Sequence, residues 1–309
     1  MNVDRRTTHV IGVDLGGTWV RVALFDPTGR IIASAAAITD REGGPHNVVG
    51  QIGTLAREVA KSTPDVALGR MVLAIGAPAT VDPTAGVVHA AANLTGWHEV
   101  PLRQLLEAEL GCRCLVENDA NLAALAEQRQ GAGRGVANFA YITVSTGIGA
   151  GLILDGRLYR GAEGGAGEFG HMVAVPDGPM CSCGHRGCLN AIASGDAIAR
   201  DAGADSAADV ARAAAAGDEK SQKVLAFTAR YLGIALGGLI NLLNLDAVAL
   251  GGGVLGAGDR FWTPMVAAVA EGSWPAAREH CLIERAQLGD DRGVIGAFEL
   301  ARDEVAGPG

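Results

Sequence analysis

Aromatic side chains are scarce in this 309-residue chain: four Trp, three Tyr and six Phe make up 4% of it. That disfavours large aromatic pockets and favours close-packed helices and tight turns built on abundant Ala and Gly. An excess of positive charge is missing too. The net charge of −9 speaks against a nucleic-acid binder, because neutralising phosphates needs a basic surface. No unbroken membrane-spanning run exists. The most apolar stretch, Tyr231 to Val254, is interrupted by Gly237, Gly238, Asn241, Asn244 and Asp246 and reads as a buried helix followed by a strand. The polar segment Met1 to His9 is too short for a secretory signal, and no low-complexity linker is present. Six cysteines in a chain of this size and pattern do not make a disulfide framework. The composition is compatible with a soluble metabolic enzyme, expected to be cytoplasmic, 49% hydrophobic and long enough for two domains.

Three of the cysteines have another use. His171 is followed by Cys181, Cys183 and Cys188 in the run G-E-F-G-H-x9-C-x-C-G-x-x-G-C, a ligand set suited to a four-coordinate structural zinc. Gly184 and Gly187 let the backbone turn tightly around an ion. Glu168 stands three residues before His171, so a metal that pins one pins the other. Glu168 can accept hydrogen bonds from sugar hydroxyls, and His171 can ligate with one nitrogen and donate from the other. Cys112 and Cys114 alternate in a strand-like run and read as small core residues.

The chain opens as a meander of strands at 10–15, 19–26 and 30–37, with a helix near 46–61 and a strand at 70–76. A loop-rich region leads to a helix at 101–110, a strand at 112–116 and a helix that starts at 119. Strands at 139–144 and 150–154 flank another glycine turn. Helices near 194–203, 206–216 and 218–243 precede a strand at 247–250, and the tail is helical from about 293. Strand, glycine turn, strand, turn thus occurs twice, about 130 residues apart, a weak internal repeat that suggests two similar lobes.

Asp14-Leu15-Gly16-Gly17-Thr18 occupies the first turn. Its glycines bring backbone N–H groups within reach of phosphate oxygens, Thr18 adds a hydroxyl, and Asp14 can hold magnesium through water. It is no Walker A loop, which needs Gly-Lys-Ser/Thr and a helix directly after. The second turn, Ser145-Thr146-Gly147-Ile148-Gly149, makes a pair with it: two such turns suggest a phosphate clamped from two lobes. Gly251-Gly252-Gly253 ends a buried strand and suits either a flat nucleoside or a turn that needs positive φ. Asn118-Asp119 lies between a strand and a helix. Alone it reads as a helix cap filled by Asp, but a carboxylate at a strand's carboxyl end can also take a proton from a substrate hydroxyl.

These residues together resemble the ROK family (repressor, open reading frame, kinase), and more narrowly its bacterial glucokinases. The resemblance runs from Val10 to Arg302. It rests on D-L-G-G-T at 14–18, N-L-T-G-W at 93–97, E-N-D-A-N at 117–121, T-G-I-G-A-G-L at 146–152, G-E-F-G-H at 167–171, C-S-C-G-H-R-G-C at 181–188 and G-G-G-V at 251–254. It implies an actin-like, hexokinase-like (ribonuclease H-like) α/β fold whose two lobes close on sugar and ATP. The smaller lobe would be 1–118 with 293–309, and the larger, zinc-bearing lobe 119–292.

Asp119 would be the general base on the sugar 6-hydroxyl. Asn118, Glu168, His171, Asn190, Ala79 and Asn93 would face the sugar. Asp14, Gly16, Gly17, Thr18, Thr146 and Gly147 would meet phosphate and Mg2+, Gly252 and Gly253 the nucleoside. His171, Cys181, Cys183 and Cys188 would hold structural Zn2+, and the chain would form a homo-oligomer, dimer or tetramer.

Two positions depart from the family pattern. Asn190 stands where a Glu that contacts sugar is usual, and Gly76-Ala77-Pro78-Ala79 replaces G-x-P-G. Both changes fall on the sugar side. The expected activity is ATP-dependent phosphorylation of glucose, with N-acetylmannosamine, N-acetylglucosamine or fructose as rival acceptors. A sugar-responsive repressor is a rival of another class, but thirteen residues before Asp14 are too few for a helix-turn-helix. A silent sugar-binding protein is a third.

Overall fold

The alternating strand pattern of the opening residues forms β1 (Val10–Leu15), β2 (Trp19–Phe25) and β3 (Ile31–Ile38), an antiparallel meander. It belongs to a computed structural model of the chain that describes residues 8–91 and 94–306. The chain divides into two compact units. The first gathers Met1–Gly131, Arg160–Ala166 and Leu288–Gly309, the second Ala132–Tyr159 and Gly167–Gln287.

In the first unit, α1 (Gly44–Ala60) starts with a proline in its first turn and buries Val48, Ile52, Leu55 and Val59 at helical spacing. β4 (Val72–Ala77) and β8 (Arg113–Asn118) are buried throughout or nearly so, as parallel strands covered on both faces must be. Between them lie β5 (Thr80–Asp82), β6 (Val87–Ala90), β7 (His98–Val100) and α2 (Leu102–Leu110), and α3 (Asp119–Gln130) follows β8. The main sheet runs β3-β2-β1-β4-β8, with β4 parallel to both β1 and β8.

The second unit repeats this order. β9 (Phe139–Val144), β10 (Ile148–Leu154) and β11 (Arg157–Leu158) form a meander. After α4 (Leu189–Ala193), α5 (Gly195–Ala202), α6 (Ala207–Ala215) and α7 (Glu219–Leu243) come β12 (Ala247–Gly251), α8 (Asp259–Gly272), α9 (Pro275–His280) and β13 (Leu282–Arg285). The sheet runs β11-β10-β9-β12-β13, with β12 parallel to β9 and β13. The weak repeat read from two turns therefore extends to a whole five-stranded sheet. α7 is long and apolar enough to cross a membrane by length and composition, but Leu225, Leu232, Leu236 and Ile240 sit in the unit's core with Phe261, Met265 and Val269 of α8.

The chain then returns to the first unit as α10 (Arg292–Ala306). This helix packs on α3 closely enough that a side-chain carbon at Gly296 would strike the Leu122 carbonyl oxygen. That contact puts α3 in the first unit, so the division falls after Gly131 and not at Asp119. The region read as loop-rich contains the small sheet β5-β6-β7.

Candidate functional site

In the first unit, strand register lines up the chemistry. Asp14 of β1 lies beside Gly76 of β4, which lies beside Glu117 of β8. All three stand at the carboxyl ends of parallel strands, the edge where open α/β sheets hold ligands. Asn118 caps α3: its Oδ1 accepts from the N–H groups of Ala120 (2.9 Å) and Asn121 (3.1 Å). Its Nδ2 donates to the Ala79 carbonyl at 3.1 Å, so Asn118 also fixes the Pro78-Ala79 loop. The cap is thus Asn118 and not Asp119. Asp119 is the first residue of the helix, with Oδ1 accepting from Ala120 N at 2.8 Å.

Burial pushes the Asp119 carboxyl up to about 7, and the negative charge of Asp14 adds to the effect. Asp14 is itself raised by burial, opposed by the cations of Arg21 and Arg292. A carboxylate poised near neutral pH suits a general base. α10 begins directly against this pair, since a side-chain carbon at Gly293 would strike the Asp14 carboxyl group.

Three contributors had no legible local pattern, and the first is Arg160, the partner of Glu117. Glu117 is 2% exposed and its Oε2 accepts from Arg160 Nε at 2.6 Å. Its Oε1 accepts from Asn118 N (3.0 Å) and Asn121 Nδ2 (2.9 Å). A carboxylate this buried needs such partners, and its cation comes from 43 residues further along the chain. Thr39 is the second. Its Oγ1 donates to the Gly16 carbonyl at 2.8 Å and its N–H to the Thr18 carbonyl at 2.9 Å, which leaves the Gly16-Gly17-Thr18 turn held by its carbonyl side. Arg292 is the third. A proline-free Asp-Asp-Arg-Gly helix start carries no sign of its proximity to Asp14.

In the second unit, the Thr146-Gly147 turn follows β9 and Gly252-Gly253 follows β12, with Thr143 beside Gly251 in register. Gly252, at φ 99°, packs on the end of β9, where a side chain would strike the Val144 carbonyl; Gly253 is open on its side-chain face. The G-E-F-G-H run lies along β10. Side-chain carbons at Gly167 and Gly170 would strike the carbonyls of Ala150 and Ile148. This seating leaves Glu168 and His171 exposed. Asn190 has its carbonyl oxygen engaged: Oδ1 accepts from Ile148 N at 2.8 Å. Asn93 lies outside the described residues.

His171, Cys181, Cys183 and Cys188 place one ligand atom each within 4.8 Å of one another. His171 Nδ1 is 3.6 Å from Cys181 Sγ, and Cys183 Sγ is 3.6 Å from Cys188 Sγ. Tetrahedral Zn–S bonds put sulfurs about 3.8 Å apart, so the set fits zinc. Gly187, at φ 72°, lets the loop close where a side chain would strike the Val175 carbonyl. Burial and the neighbouring thiols push Cys188 up to about 12; a coordinated dication reverses that, because it deprotonates its thiol ligands. With Nδ1 on the sulfur side, His171 Nε2 faces Glu168 Oε2 at 3.9 Å.

Two sheets of one strand order, each with a glycine turn between its first two strands, define a protein of the actin-like, hexokinase-like α/β class. The chain belongs to the ROK family, whose model matches residues 10–304. It is 34% identical to a glucokinase from Halalkalibacterium halodurans over 95% of each chain. It is similar to the crystal structure of a ROK hexokinase from Thermus thermophilus, at 36% identity and a TM-score of 0.87 over 97% of this chain and 100% of that one. A ROK family glucokinase from Streptomyces griseus, solved in complex with glucose and AMPPNP, matches at 32% identity and a TM-score of 0.81, covering 96% and 99%.

Two outcomes are expected. Elemental analysis should find about one zinc per chain, and Cys188→Ser should remove it and lower the melting temperature. The Asp119 shift also sets a pH dependence. A carboxyl whose folded pKa lies above its unfolded value binds its proton more tightly when folded, so stability is lost as pH rises from about 4 to about 7. Asp119→Asn should therefore match the parent protein in denaturant titrations near pH 4. By pH 8 it should be more stable by roughly 2–4 kcal/mol.

Proposed function

We propose that the chain is an ATP- and magnesium-dependent kinase acting on the 6-hydroxyl of glucose. The observation that carries this reading is the Asp119 carboxyl, raised to about 7 at the carboxyl edge of the first sheet and spared from helix capping by Asn118. The similarity to glucokinases along nearly the whole chain supports glucose as the acceptor.

In this reading Asp119 takes the proton of the sugar hydroxyl as the oxygen attacks the γ-phosphorus, and the bond to the ADP oxygen breaks in line. Glu168 and His171 bind sugar hydroxyls, and Asn118 holds the Ala79 loop of its own unit. The Gly16-Gly17-Thr18 and Thr146-Gly147 turns receive phosphate oxygens through backbone N–H groups. Gly252 and Gly253 lie against the nucleoside. Asp14 would hold magnesium, which when bound would supply charge neutralisation at the transferring phosphate. His171, Cys181, Cys183 and Cys188 would hold zinc, which would fix the loop that carries His171.

Purified protein should consume ATP with magnesium and glucose, tested beside mannose, fructose, N-acetylglucosamine and N-acetylmannosamine. Asp119→Asn should lower kcat by roughly 10²–10⁴-fold while glucose binding in calorimetry is retained. Near-normal turnover in that variant would refute the base assignment. Turnover on an acetamido sugar alone would keep the kinase and replace the sugar.

A further inference from the structure

Asn190 departs from the family pattern at a position expected to face sugar, yet its carbonyl oxygen is already committed. Oδ1 accepts from Ile148 N at 2.8 Å and lies over Gly147, where a side-chain carbon would come within 3.3 Å of it. Two more bonds reach the same turn from the same segment. Gly195 N donates to the Ser145 carbonyl at 2.6 Å, and Asp196 N donates to the Thr146 carbonyl at 3.4 Å. The turn at 145–148 is therefore held from outside its own hairpin, by residues 190–196.

That segment starts at the metal cluster. Cys188 stands at the N-cap of α4, and Asn190 is the second residue of that helix. Leu189 N donates to the Met172 carbonyl at 2.8 Å, and Val173 pairs with Cys188, so the helix start is fixed to the chain that follows His171. The path from cysteine ligand to glycine turn is two residues and one side-chain bond.

We infer that Asn190 is a positioning residue for the nucleotide's phosphates: it holds the Thr146-Gly147 turn open in its working shape and makes the start of α4 a strut between the metal cluster and that turn. This rests on the kinase reading above and deepens it. The chemistry favours an amide at this place. A carboxylate would accept from Ile148 equally well, but it would set a full negative charge against a turn that must receive phosphate oxygens. The amide supplies the same acceptor without the charge. A preorganised turn costs a ligand less ordering on binding than a mobile one.

The test uses the full chain, with AMPPNP and glucose as separate probes in calorimetry and with amide hydrogen exchange at Ile148. Asn190→Ala should weaken AMPPNP roughly tenfold, the equivalent of one lost hydrogen bond, and leave the glucose Kd within about twofold. Exchange at Ile148 should quicken in Asn190→Ala and in Cys188→Ser. It should stay slow in Asn190→Asp, which keeps the acceptor but should still bind AMPPNP poorly because of its charge. Weaker glucose with unchanged AMPPNP would overturn the proposal and make Asn190 a sugar contact. Unchanged Ile148 exchange in Asn190→Ala would overturn it as well. If the unsubstituted protein bound neither probe, the kinase reading itself would fall, an outcome distinct from either split.

Discussion

Asp14 and Asp119 share one electrostatic field at the carboxyl end of the first sheet, where burial and the Asp14 charge make Asp119 harder to ionise. The surrounding residues of the first unit answer that buried charge. Arg21 and Arg292 temper it at Asp14, and α10 can start close by because residue 293 has no side chain. A third carboxylate in the same row, Glu117, is neutralised by Arg160 and spends its other oxygen on Asn118 and Asn121. Asn118 takes over the helix cap, so the Asp119 carboxyl is not spent on capping. A carboxyl this deeply buried costs stability, and its persistence at a well-packed sheet edge points to use.

The second unit meets a different demand, that of fixing flexible glycine turns. Glycines bring backbone close to a ligand but supply no packing of their own. The fold compensates by bracing the 145–148 turn from 190–196 and by seating the G-E-F-G-H run on β10. The cluster of His171 and three cysteines anchors both braces at one point. A metal bound there stiffens the loop that bears Glu168 and His171, and through α4 the turn beside Gly147.

Features with a short-range signal were legible in the sequence. The strand meanders, the glycine turns and the C-x-C-G-x-x-G-C loop depend on neighbours in the chain, and the structure has each of them. The repeat was visible only as two turns, because the later strands β12 and β13 are separated by helices of unequal number. Residues 80–100 read as loop because β5, β6 and β7 are three or four residues long, too short for alternation to register. The place of α3 was not legible, since it depends on α10, more than a hundred residues later. For the same reason Arg160, Arg292 and Thr39 escaped notice: each is a long-range partner with no motif. Asn190 was noticed as a departure, but its bond to Ile148 spans 42 residues and had no trace in local pattern.

Phosphorus NMR of the reaction between glucose and magnesium ATP, followed from about pH 5.5 to about pH 8.5, tests the central claim most directly. The account expects a new phosphomonoester signal coupled to the two protons on glucose C6, forming faster as pH rises through about 7, where Asp119 loses its proton. Release of inorganic phosphate without a sugar ester, or a rate that stays flat across that range, would contradict it.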